Sequence, residues 1–77
     1  MTGECIELRQ FIHSYFQPGS YSLKDIKIAL SGIYHYFGIH KAPKAVDILE
    51  YYNVRSVSLY DPTTKKRFKG YELISIK

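Results

Sequence analysis

Apolar residues recur at three- and four-residue steps through the first two thirds of the chain, then at two-residue steps. Helices repeat every 3.6 residues and strands every two, so this change of period is the first structural signal. From Glu4 to Phe16, the residues Cys5, Leu8, Ile12 and Tyr15 trace one helical face, and Phe11 and Phe16 widen it. Glu4 and Glu7 fall in the first turn, where negative charge suits the helix dipole. Pro18-Gly19 stops the segment, because proline cannot continue a helix and glycine accepts the left-handed conformation common after helix ends. Ser22 has the chemistry of an N-cap, with Asp25 three residues later. Leu23, Ile26, Leu30, Ile33, Tyr34 and Phe37 then carry a second helix as far as Gly38. Gly32, inside it, costs about 1 kcal/mol relative to alanine, which suggests a close approach by a neighbouring helix.

A third helix is expected from Pro43 to Tyr52. Proline fits a first helical turn, where its missing N–H is not needed. Ala45, Ile48, Leu49 and Tyr52 make the inner face, with Val46 beside them, and Asn53 is a left-handed C-cap. After it, Arg55, Val57 and Leu59 alternate with Ser56, Ser58 and Tyr60, as in a strand with one buried face. Asp61-Pro62-Thr63-Thr64 is turn chemistry. A second strand runs from Phe68 to Ile76. Tyr71 and Leu73 share one parity and Ile74 and Ile76 the other, which leaves the register open; Gly70 is a candidate bulge. The expected fold is α+β, mainly α: a three-helix bundle followed by a two-stranded antiparallel hairpin, one domain over residues 1–77.

Charge sharpens the picture at one end. Residues 1–50 carry five Lys or Arg and five Asp or Glu. Residues 51–77 carry six against two, so the whole net charge of +4 lies in the last third. Four of those cations, Lys65, Lys66, Arg67 and Lys69, fall within five residues at or beside the turn. Like charges packed on a turn repel one another without any gain from burial. Such a cluster either solubilises the tip or meets phosphate.

Other chemistry is sparse. A single cysteine, Cys5, excludes a disulfide framework within the chain, and its acidic neighbours favour a small core residue over a nucleophile. With no signal peptide in view, a reducing, cytoplasmic setting is expected. No apolar run reaches the roughly 20 residues that a membrane span needs. His35 and His40 lack further ligands at metal-binding spacing, Gly38-Ile39-His40-Lys41 is too short for a phosphate loop, and no catalytic spacing links the histidines, acids and serines. No enzyme, cofactor or metal is therefore expected. Among the many aromatics, Tyr36 and Tyr51 fall outside the core stripes and could stack on bases.

Three helices followed by a basic-tipped hairpin resemble a winged-helix domain. The resemblance implies a helix-turn-helix with its turn at Gly38–Ala42, a recognition helix over Pro43–Tyr52, and a wing tip over Asp61–Lys69. It also implies DNA as partner, duplex favoured over single strands. The expected contacts are Lys41, Lys44, Arg55, Lys65, Lys66, Arg67 and Lys69. The third helix carries Asp47 and Glu50 and lacks the Arg, Asn and Gln that read base edges, so low sequence specificity follows. The runs Lys41-Ala42-Pro43-Lys44-Ala45, Asp47-Ile48-Leu49 and Lys66-Arg67-Phe68-Lys69-Gly70-Tyr71-Glu72-Leu73 further resemble small C-terminal modules of primase–helicase-type replication ATPases from phages and bacterial mobile elements. That resemblance implies a module serving a larger replication protein. The alternative is a winged-helix docking module that binds protein and no nucleic acid; the acidic third helix suits it.

Overall fold

The computed structural model describes residues 3–77, with side chains from Ile6 onward. The expectation for Cys5 therefore lies outside the described side chains. The elements are helix α1 (Gly3–Tyr15), strand β1 (Gly19–Ser22), helix α2 (Leu23–Tyr36), a 3₁₀ helix (Ala45–Glu50), and strands β2 (Tyr52–Asp61) and β3 (Lys66–Ile76).

Both long helices form where the apolar spacing places them. Leu8 and Ile12 make the buried stripe of α1, and Phe16 continues it just past the helix end, whereas Tyr15 and Phe11 stay exposed. Ser22 caps α2: its Oγ accepts the amide of Asp25 at 3.0 Å. At the other end, the amides of Gly38 and Ile39 donate to the carbonyls of His35 and Tyr34, at 3.1 and 2.8 Å. Gly38 closes this motif at φ 69°, a left-handed conformation that glycine adopts without steric cost.

The expected bundle-then-hairpin architecture gives way to an α+β domain with a three-stranded antiparallel sheet in the order β1-β3-β2. The strand absent from the expected fold is β1. Its four residues are too few to display an alternation, yet they pair along β3 from Gly19 opposite Leu73 to Ser22 opposite Gly70. The hairpin is thus the larger part of a sheet, and β3 is its central strand.

The third helix is also corrected. Lys44 is extended, and six residues of 3₁₀ helix replace the α-helix expected over Pro43–Tyr52. Pairing of Tyr52 with Ile76 claims the chain for β2 before a further turn can form. A 3₁₀ helix repeats every three residues. Ala45, Ile48 and Tyr51 therefore turn inward, while Leu49 and Val46 are exposed.

Ile12, Ile26, Leu30, Ile48 and Leu73 are the most deeply buried side chains, so every layer contributes to one core. The Tyr52 hydroxyl donates to the Phe16 carbonyl at 3.0 Å and binds the end of α1 to the start of β2. Burial raises its pKa, with Tyr21 adding to the effect. The register break lies where Asn53 faces Ser75 and Val54 faces Leu73. Ile74 is the extra residue, and it explains the parity change along β3. The bulge is there rather than at Gly70.

Candidate nucleic-acid interface

β2 and β3 run on beyond the helices as a two-stranded ribbon, and the domain is correspondingly long, 44 × 24 × 16 Å. The turn closes through Asp61, whose Oδ1 accepts the amide of Thr63 at 2.9 Å and whose carbonyl accepts that of Lys65 at 2.7 Å. Lys65 takes the left-handed conformation, φ 58°.

The register sorts the ribbon into two faces. Ser56 faces Tyr71, Ser58 faces Lys69 and Tyr60 faces Arg67, on the side that also carries Leu73. Val57 faces Gly70, Leu59 faces Phe68 and Asp61 faces Lys66, on the other side. Lys65, Lys66, Arg67 and Lys69 are all exposed. Arg67 and Lys69 thus share a face, Lys66 lies on the opposite one, and Lys65 crowns the turn. The Arg67 guanidinium lies 6.0 Å from the centre of the Tyr60 ring.

The remaining expected contacts are arranged differently. Arg55 is opposite Glu72 and ion-paired with it, which neutralises its charge locally. Lys41 lies 4.0 Å from Asp47 and over the Tyr34 ring. Asp47 itself accepts the amide of Lys44 and the hydroxyl of Tyr34, so the carboxylate occupies the start of the 3₁₀ helix. Burial and then this carboxylate push the Tyr34 hydroxyl well above its ordinary pKa.

These positions separate the cations into two groups. Lys69 lies beside Leu23 at the start of α2, whereas Lys41 and Lys44 gather with Asp47 beside Tyr34 near its end. Eleven residues of helix at 1.5 Å each set Leu23 and Tyr34 about 16 Å apart. Lys24 joins the ribbon group instead: it lines a depression of about 480 Å³ with Ser22, Phe68 and Lys69. Sequence reading missed Lys24 because the strand that brings it there, β1, is itself too short to read.

Of the two tyrosines outside the expected core stripes, Tyr36 is exposed and stacks on Phe11 at 5.7 Å, while Tyr51 is buried. His13 Nε2 is 2.9 Å from the carbonyl of Tyr51, placed to donate to it, and His35 and His40 are exposed. Among the described residues, no group of three His, Cys, Asp or Glu could hold a metal ion, and no helix is long and apolar enough to cross a membrane.

Comparison with family models, curated proteins and solved structures finds no match to this chain.

Proposed function

We propose that this chain is a non-catalytic DNA-binding module of winged-helix type, gripping the phosphate backbone with its β2–β3 ribbon as the wing. The observation that carries the reading is the placement of Lys65, Lys66, Arg67 and Lys69. All four project from a ribbon that extends past the core, and neither ion pair among the described residues involves them. A basic ribbon of this kind suits a polyanion, whose condensed counterions are released on binding. The 3₁₀ helix supports low sequence specificity: it is short, and Asp47 occupies its start. Lys24 extends the ribbon patch, while Lys41 and Lys44 would meet a separate stretch of backbone. The module would serve a larger replication protein of the primase–helicase type in a cytoplasmic setting.

The test is a titration of labelled duplex and single-stranded DNA at two salt concentrations. With about four phosphates neutralised, log K falls against log salt with a slope near −3 to −4. Joint replacement of Lys65, Lys66 and Arg67 by alanine should abolish retention. Absence of binding at low salt would sink the reading.

One observation favours protein docking as a second reading. Phe11, Tyr15, Ile28 and Tyr36 are exposed along a groove between α1 and α2. Contiguous apolar surface of this sort marks interaction sites. A chain that ignores DNA at low salt and loses a protein partner on Ile28→Lys would be a docking module.

A further inference from the structure

We propose that the ribbon face carrying Tyr60, Arg67 and Lys69 is a track for single-stranded nucleic acid, with Tyr60 as a base-stacking platform. This rests on the nucleic-acid reading above and goes beyond it by choosing the strand state and the face.

The register places Ser56, Ser58 and Tyr60 beside Tyr71, Lys69 and Arg67 on one surface. A groove of about 550 Å³ runs beside Lys69 and the two serines, and Leu23, Val57, Gly70 and Tyr71 complete its lining. Its volume is in the range of small-ligand sites. The serine hydroxyls are small enough to leave the groove open, and each can donate and accept a hydrogen bond.

Tyr60 is 54% exposed at the outer end, so its ring is not spent on the core. Arg67 lies over that ring and Lys69 follows two residues inward. Lys24 lines the neighbouring depression of about 480 Å³, which shares Leu23 and Lys69 with this groove. Aromatic ring, serine hydroxyls and flanking cations are what an unpaired strand uses: bases stack on the ring and phosphates meet the charges. A duplex hides its base faces and would leave Tyr60 without a role. The outer part of the opposite face is different in kind, since there Leu59 faces Phe68 and Lys66 stands across from Asp61.

The test is fluorescence anisotropy on the full chain with labelled oligothymidylate of about 12 nucleotides, a length within the span of known single-strand sites. A duplex of equal length and polyglutamate serve as controls. Oligothymidylate should bind more tightly than the duplex. Tyr60→Ala should weaken it about tenfold and leave duplex binding unchanged. Leu59→Ala, on the other face and outside both depressions, should have no effect on oligothymidylate. Tyr60→Trp should keep the affinity, and its indole fluorescence should be quenched on binding, a readout that a purely structural tyrosine would not give. Preference for the duplex, or indifference to Tyr60→Ala, would overturn the inference while the DNA-binding reading stands. Polyglutamate binding equal to that of oligothymidylate would reduce the face to bare charge and overturn it too. Binding of neither nucleic acid at low salt would overturn both.

Discussion

The amide of Lys65 donates to the carbonyl of Asp61 at 2.7 Å, and Lys65 itself then turns left-handed, at φ 58°, to lead the chain into β3. A lysine there carries the steric cost of a β-carbon near the preceding and following peptides. Lys65→Gly should therefore raise stability by about 1 kcal/mol in chemical denaturation. The same change should weaken DNA retention and reduce the salt slope by about one. Opposite signs in the two measurements would mean that strain is held at this position for the sake of the charge. A variant that gained stability and kept full affinity would place Lys65 outside the interface.

Arg55 is paired with Glu72 across β2 and β3. Arg55→Gln should leave DNA affinity nearly unchanged, because its charge is already answered. Glu72→Gln should do the reverse, freeing the guanidinium and steepening the salt slope by about one. Parallel titrations of the two variants check the pair. A large loss in Arg55→Gln with no gain in Glu72→Gln would show the pair opening on the ligand.

Tyr34 donates to Asp47 at 2.9 Å and fastens the 3₁₀ helix to α2. Removing the hydroxyl with Tyr34→Phe should cost about 1.5 kcal/mol, the scale of a hydrogen bond to a charged acceptor. The bond also gives a pH signature. Burial and the nearby carboxylate raise the folded-state pKa of the phenol above its ordinary value of 10.0. The folded protein therefore holds this proton more tightly than the unfolded chain. Its contribution is complete below about pH 10 and is lost as pH climbs toward the folded value. Denaturation midpoints across that alkaline range should fall more steeply in the parent than in Tyr34→Phe.

Gly32 and Gly70 should respond in opposite directions to alanine. A β-carbon at Gly32 meets nothing within 4 Å, so Gly32→Ala should stabilise α2 by about 0.5–1 kcal/mol. A β-carbon at Gly70 would collide with the carbonyl oxygen of Tyr21 and come within 2.7 Å of the Leu59 side chain. Gly70→Ala should destabilise the sheet by about 1–3 kcal/mol, with β1 detaching first. Thermal melts decide both.

The same two glycines show how far the sequence could be read. Helix period, the Ser22 cap and the Gly38 stop are local signals, and α1 and α2 formed where they pointed. The turn at Asp61 and both ribbon strands were equally legible, because proline, aspartate and two-residue alternation act within a few residues. What was missed depends on partners distant in the chain. Gly32 gave no close helix contact and instead faces an open groove; Gly70 gave no bulge and instead lets Tyr21 approach β3. The four residues of β1 are a strand only because β3 offers them an edge. The 3₁₀ helix is short because Ile76 pairs with Tyr52. At the interface, the four ribbon cations were readable as a cluster. Their division between two faces was not, since it follows from the register, and neither was the neutralisation of Arg55, whose partner is 17 residues away.

Leu73 is fixed in the core, yet four residues outward along β3 the chain is already in water at Lys69. Opening of the ribbon tip therefore breaks no core packing, and its amides should exchange hydrogen far faster than those beside Leu73. Side-chain substitutions at the tip that keep the turn's backbone should then have little effect on folding. The scaffold behaves as a handle with an interchangeable blade: the charges on the ribbon can drift, or be grafted from elsewhere, while the helices and the inner sheet keep their form.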